Sequence, residues 1–527
     1  MNQENFKKFI KNNKHYINYN SNNKFVMMVD RGKFLSGINN LMVVMALNKI
    51  FKLNPLIITD FRNADFYNFY KSFGIKNFKI GFKYSLTFKK INILIKSLYK
   101  LVTTIFILKR KNFEWFIENF EVNKIKIGDL IYDTYIRYNH RYLNPKIDIE
   151  FINLLFKAIF RTYNLSNYTE LYPTKFLLVG TPSYCHNDGI ALRVALKNNI
   201  KVFEAQPHQL IKYNYNMVNF GIDNLASNFF KNGKKINIKE EKINLFLKKK
   251  KKGEIGSLYT GSVIYQRANR NKTKINKKKL FQKLNIKNNK FKKIILVAAH
   301  AFSDCPHING FFVFRDYYTQ LKETLEFISN TKSLERHLWI IKPHPSAYKF
   351  KEQGIAEKLI KKYIRKNIKL CPAKINTKDL IKVSDHVITG RGSIGLETAC
   401  AGKYSILGGS AAYSKIGFTL DPKNKKQYFE FIKKIDSIKR LKKTQVKKAK
   451  ETVYILENKI NQIPIKRSSI VPHDKFSQNV KERKLKKIKL IPERNLFSKE
   501  FIEKHKKIGF ENDIYYKDLL KKLIEYK

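Results

Sequence analysis

Cysteine is scarce in this chain: four among 527 residues, at Cys185, Cys305, Cys371 and Cys400, with no Cys-x-x-Cys pair. That excludes a disulfide framework and the usual zinc-ligand spacings, and it fits a reducing compartment. Acidic residues are few beside basic ones, 42 Asp and Glu against 105 Lys and Arg, for a formal net charge of +63. Such an excess ordinarily raises nucleic acid as a partner. Here the basic residues are spread along the whole chain, and Asn, Ile, Phe and Tyr are abundant with them, as under an AT-rich coding bias. Specific nucleic-acid binding is therefore not expected. The charge reads as solvated surface, with attraction to an anionic membrane face or an anionic glycan as the second role. Long apolar runs are missing too. The run Leu101–Leu108 is well short of the roughly 20 residues that span a bilayer. It reads as a core helix, with an interfacial helix as the alternative. Residues 1–24 are polar and carry no secretory pattern. The expected location is cytoplasmic, soluble or peripheral at the inner membrane face.

What is present supports large cores. Hydrophobic residues make up 43% and aromatics 13%, and the length suggests two or three domains. Short apolar runs that end in polar loops alternate with helical periodicity, the pattern of parallel α/β sheets. Predicted strands lie at 25–29, 56–59, 176–179 and 200–203, with helices at 40–53, 88–120, 149–165 and 189–198. After a Lys-rich stretch the pattern returns. Strands are predicted at 293–299, 338–341, 368–370, 386–388 and 404–407, and helices at 354–365, 377–383 and 393–401. The expected fold class is α/β, two Rossmann-like domains facing a cleft, with a basic helical C-terminal tail. The boundaries read as 1–240 for an acceptor domain with a helical insertion, 241–290 for a linker, 291–464 for a nucleotide-sugar domain and 465–527 for the tail.

The chemistry collects at strand ends, where open α/β sheets bind ligands. Trp339-Ile-Ile-Lys-Pro-His-Pro345 is a strand leaving through a turn in which two prolines restrain the backbone around His344. An imidazole presented that way suits binding or protonating a leaving phosphate. The other reading is a structural turn. Gly390-Arg-Gly-Ser-Ile-Gly-Leu-Glu397 opens a helix. Gly390 and Gly392 let backbone approach a phosphate, Arg391 offers charge-assisted hydrogen bonds, and Ser393 caps the helix or donates to phosphate. Glu397, one turn in, would accept from ribose hydroxyls or partner Arg391. The loop His300–His307 carries His300, Ser303, Asp304 and His307. Substrate or inter-domain contact is its first reading and a structural loop the second; a metal site would need further ligands that the sequence does not place nearby. In the first half, Cys185-His-Asn-Asp-Gly189 opens a helix. Asp188 is the first candidate for a base that deprotonates an acceptor hydroxyl and His186 the second; an Asp helix cap is the alternative. Asp30, Arg31 and Asp133 are secondary candidates, for holding acceptor, and His208 for lining the same cleft.

These residues resemble a family. His300 to Asp304, Lys342-Pro-His-Pro345 and Ser384 to Glu397 are similar to the motifs of bacterial capsule and surface-polysaccharide glycosyltransferases of the GT-B type. The nearest sets are the capsule β-Kdo transferases and the bacterial sialyl- and polysialyltransferases. The resemblance implies that His344 and Ser393 bind the cytidine nucleotide of a CMP-sugar donor. The sialyltransferases also carry an acidic-acidic-Gly motif whose second acid is the base; the match here is Asn187-Asp188-Gly189, with Asn at the first position. A looser resemblance runs to the CDP-glycerol glycerophosphotransferases. The likeness is strongest over 294–421.

The expectation is a metal-independent glycosyltransferase without a cofactor, taking a nucleotide-sugar and a glycan or lipid-linked glycan acceptor. Alternatives are a UDP-sugar transferase or 2-epimerase, a CDP-glycerol glycerophosphotransferase, and a non-enzymatic basic polyanion-binding protein.

Overall fold

The computed structural model describes residues 3–30, 34–59, 64–80, 88–180, 183–185, 188–207, 209–213, 230, 240–252, 276–286, 291–307, 310–345, 347–372, 375–458, 462–472 and 496–525. The chain forms two compact units. The first is Met1–Thr134, Ile147–Val218 and Asn461–Lys527; the second is Tyr135–Lys146 and Asn219–Ile460.

The first unit opens with β1 (Phe25–Asp30), β2 (Asn54–Thr59) and β3 (Phe78–Ile80). The two longer runs are buried on both faces, as parallel strands between helical layers must be. The helix Phe34–Phe51 joins β1 to β2. It is apolar almost all round, because it packs on β1 and β7 (Lys201–Gln206) with one side and on the helix Ile514–Ile524 with another. A small hairpin, β4 (Glu121–Val122) with β5 (Ile125–Lys126), precedes β6 (Thr174–Val179); β8 (Gln209–Tyr213) follows β7. β2 and β6 both pair with β1 in parallel, β3 pairs with β2 and β7 with β6. Strand order therefore reverses between β1 and β6, and the carboxyl ends there carry Asp30 and Gly180.

The second unit holds a five-stranded parallel sheet of β9 (Ile294–Ala298), β10 (Leu338–Lys342), β11 (Ile368–Leu370), β12 (His386–Thr389) and β13 (Ser405–Leu407), in the order β11-β10-β9-β12-β13. Its helices start on polar caps: the side chains of Asn276, Asp316 and Asn424 each accept from the backbone N–H three residues on. The order reverses between β9 and β12, which places His300 and Gly390 beside the switch point. Within the stretch read as a linker, the helix Glu240–Lys252 packs on the helix Lys443–Asn458, and Leu280, Phe281 and Leu284 enter this unit's core.

The chain then returns to the first unit. β14 (Gln462–Pro464) pairs antiparallel with β8, and Phe497, Phe501, Phe510, Tyr515, Leu519 and Leu523 are core residues there. The segment after residue 496 is thus amphipathic and built in, basic only on its outer side. One expectation needs correction. The run Leu101–Leu108 lies in the helix Phe88–Arg110, which packs on the helix Ile149–Leu171. Only its narrow side is core: Val102 and Phe106 are exposed. By length and composition alone, Ile91–Arg110 is apolar enough to cross a membrane.

Candidate functional site

The second unit gathers its chemistry around the β9–β12 switch point. β9 ends at Ala298, and the Ala299 amide donates to Lys342 O at 3.0 Å, tying the His300 turn to the end of β10. The His300 ring stacks on Tyr317 with centroids 4.1 Å apart and on His344 at 5.2 Å, both within 14° of parallel. Burial pushes the His300 imidazole down to about 4, and the nearby positive charge of Arg391 adds to the effect. His300 is therefore neutral near pH 7. His344 is half-buried at the turn after β10. Lys342, by contrast, is turned inward: its ammonium donates to Ile375 O at 3.0 Å, and burial lowers its pKa.

Arg391 is the distinctive group. It stands two residues after the end of β12 and is 6% exposed, with its guanidinium carbon 5.2 Å from the Phe312 ring centroid. None of Nε, Nη1 or Nη2 has a hydrogen-bond partner among the described residues. A buried guanidinium with five unused donors carries a large desolvation cost, which an oxyanion would offset. Glu397, expected to partner it or to face a ribose, is half-buried one turn into the helix and does not hydrogen-bond it. Ser393 stands at the N-cap of the helix Ile394–Cys400, but its hydroxyl caps no amide. Gly390 is required by packing: an added Cβ would sit 2.8 Å from Tyr317 Cε1. The carbonyl of Gly392 accepts from the Tyr413 hydroxyl, which holds the loop from behind.

The rest of the His300 loop is held by a residue the sequence did not single out. Glu352 is fully buried, and it accepts from Phe302 N at 2.7 Å, Ser303 N at 2.9 Å and Ser303 Oγ at 2.6 Å. Burial raises its pKa against those bonds. Asp304 is half-buried beside Cys305 and His307 is buried near Phe312. No group of three metal-ligating side chains occurs among the described residues. Tyr317 and Phe312, which wall the site, were also missed; the run Phe311-Phe-Val-Phe314 was the signal available.

In the first unit, Asp188 takes a left-handed backbone (φ +55°) and is 1% exposed. Its Oδ2 accepts from the Gly180 amide at 2.6 Å, closing the loop after β6, and it makes no side-chain cap to the helix that it precedes. Asp30 is buried at the end of β1 and accepts from the Tyr70 hydroxyl at 2.7 Å and from Thr59 Oγ1 at 3.3 Å. Asp133 is buried as well. Arg31, His186 and His208 lie outside the described residues.

Two doubly wound α/β units in one chain define the GT-B type of architecture. Residues 225–459 match the model of the family described as capsule polysaccharide biosynthesis proteins. This match bears out, for the region with the site, the resemblance to capsule polysaccharide glycosyltransferases. Among curated proteins nothing matches. Solved structures similar to the chain include a β-Kdo 2,4-transferase, KpsC, of Thermosulfurimonas dismutans, at 14% identity, TM-score 0.32, and coverage of 54% of this chain and 80% of that one. A UDP-GlcNAc 2-epimerase from Neisseria meningitidis is similar at 11% identity and TM-score 0.23, covering 82% and 98%. A glycosyltransferase from Rickettsia africae is similar at 14% and 0.26, covering 82% and 94%. Scores of that size carry no residue-level correspondence.

Proposed function

We propose that the protein is a glycosyltransferase of capsule or surface-polysaccharide synthesis that takes its sugar from a nucleotide donor, CMP-linked by preference. The observation that carries the proposal is the buried Arg391 guanidinium at the β9–β12 switch point, without a hydrogen-bond acceptor among the described residues and beside the His300–His344 stack. A donor phosphate would take up its donors bidentately, with the backbone after Gly390 and the free Ser393 hydroxyl close by. The neutral His300 adds no charge there and orders the His344 ring. Arg391 supplies the positive charge that a metal would otherwise bring, so transfer is expected to survive chelation. The cytidine preference rests on the motif resemblance around His344 and Ser393.

Thermal stabilisation by CMP, CDP, UMP, UDP and GDP tests the donor class, because a ligand of the folded state raises stability with the logarithm of its concentration. Stabilisation by CMP that is lost in His344→Ala and Ser393→Ala, with both variants folded, supports the reading. A response to UDP alone moves the assignment to a UDP-sugar transferase or epimerase, and no response to any nucleotide overturns it.

Asp188 is the proposed acceptor base. Asp188→Asn keeps the left-handed backbone and the bond to Gly180 while removing the base. A loss of about a hundredfold in kcat at unchanged Tm supports that role; unchanged kcat removes it.

A further inference from the structure

The helix Phe88–Arg110 is patterned inside out. The residues facing the first unit are Ile93, Ser97, Thr104 and Leu108. Two of these four are hydroxyl residues, which turn back on their own helix: Ser97 Oγ donates to Ile93 O and Thr104 Oγ1 to Lys100 O, each at 2.6 Å. The outward face is the apolar one. Ile91, Ile95, Leu98, Val102 and Phe106 recur at spacings of four, three, four and four, a single stripe along the helix. Ile95 is 60% exposed, Val102 65% and Phe106 55%, and the adjacent Tyr99 is 73% exposed. The stripe continues onto the neighbouring helix Ile149–Leu171. Ile149 is 75% exposed there, and a groove of about 420 Å³ runs between Leu98, Leu101, Ile149, Ile152 and Phe156, with Glu150 and Asn153 as its polar members. A folded chain gains nothing from holding so much apolar surface in water.

The charge beside the stripe identifies what would cover it. The helix sequence contains six basic residues and no acidic one. Lys96, Lys109 and Arg110 are exposed, and the Arg110 guanidinium carbon lies 4.5 Å from the Phe106 ring centroid, at the end of the stripe. Apolar side chains bordered by cations are what an interfacial helix presents to anionic headgroups. Crossing a bilayer would take with it the helix Ile149–Leu171, on which its other side is packed, and that helix carries Glu150, Lys157, Arg161 and Glu170. We propose that the outward face of the helix Phe88–Arg110 docks the protein on an anionic lipid surface, lying along it with the stripe at the headgroup boundary. The inference goes beyond the transferase reading and stands on observations within the first unit alone, none of which involves Arg391.

The test is co-sedimentation of the full chain with phosphatidylcholine vesicles and with vesicles that also contain phosphatidylglycerol. Because the chain is strongly basic throughout, the decisive variant changes no charge: Ile95→Ser, Val102→Ser and Phe106→Ser together, all at exposed positions. The expected result is a preference for the anionic vesicles and at least about a tenfold weaker partition in the variant, with Tm and nucleotide stabilisation unchanged. Lys109→Gln with Arg110→Gln should weaken the preference for anionic lipid. Equal partition of the wild type and the triple variant overturns the proposal. So does a wild type that ignores vesicles yet dimerises in light scattering through these three residues, since the face then belongs to a second copy. Retained nucleotide stabilisation in the triple variant separates failure here from failure of the transferase reading.

Discussion

At the residue scale, the cost of burying Arg391 without an acceptor among the described residues sets up the clearest test. Replacing a buried charge by an apolar side chain of similar volume is often neutral or stabilising, whereas the ligand it serves is lost. Arg391→Met is therefore expected to leave the Tm of the free protein unchanged or higher. It should also weaken nucleotide binding by about tenfold to a hundredfold, the loss of one charge-assisted contact of roughly 1.5–3 kcal/mol. Calorimetry for the free protein and a nucleotide titration check the two halves separately. A residue with only a packing role would lower Tm and leave the titration alone. Arg391, Ser393 and His344 were legible because glycine and proline punctuate the chain around them. Glu352 was not, because its partners Phe302 and Ser303 are about fifty residues away and only the fold joins them.

At the element scale, the site is an arrangement of strand ends, and small residues decide how closely those ends approach. Gly390 leaves room for the Tyr317 ring, on which His300 stacks. Gly390→Ala would place a Cβ against that ring, and the overpacking is expected to cost about 1–3 kcal/mol. Because the ring must move, nucleotide stabilisation should fall with it, measured on the same thermal ramp. The buried apolar runs of β9, β10 and β12 were readable from composition, as was the helix from Thr377 to Val383. The helix Tyr317–Asn330, β8 and β14 were not. β14 is three residues long and becomes a strand only by pairing with β8, some 250 residues earlier, so local propensity says little about it.

At the scale of the whole molecule, the last segment is structural. Phe497, Phe501, Phe510, Tyr515 and Leu523 sit in the first unit's core. Truncation after residue 472 is expected to yield insoluble protein or a first unit without a cooperative melt, assayed by solubility and calorimetry. The pH profile is also a property of the whole. The imidazoles of His300, His386 and His505 are each pushed down to about 4, mainly by burial, from an ordinary 6.5. Between those values the unfolded chain binds more protons than the folded one, so stability falls as pH drops from about 6.5 towards 4. Each histidine contributes a slope of up to about 1.4 kcal/mol per pH unit there. The buried Glu352 and half-buried Asp421 carboxylates, raised by desolvation, act in the opposite sense, but only near the carboxylate range. Tm measured at pH 7.5 and 5 should show the loss.

Sequence alone determined the class of the protein, because a parallel strand buried on both faces needs a continuous apolar run and its carboxyl end needs a polar loop. His344, Arg391 and Ser393 were visible by that grammar. Tertiary structure decided what each loop residue is doing. It set Asp30 and Asp188 into buried hydrogen bonds, left the guanidinium of Arg391 without an acceptor among the described residues, and closed the first core with the last helices of the chain. It also turned the apolar side of the helix Phe88–Arg110 outward. Helical periodicity reveals that a helix has an apolar face; only its packing against a neighbour shows whether that face looks inward or out.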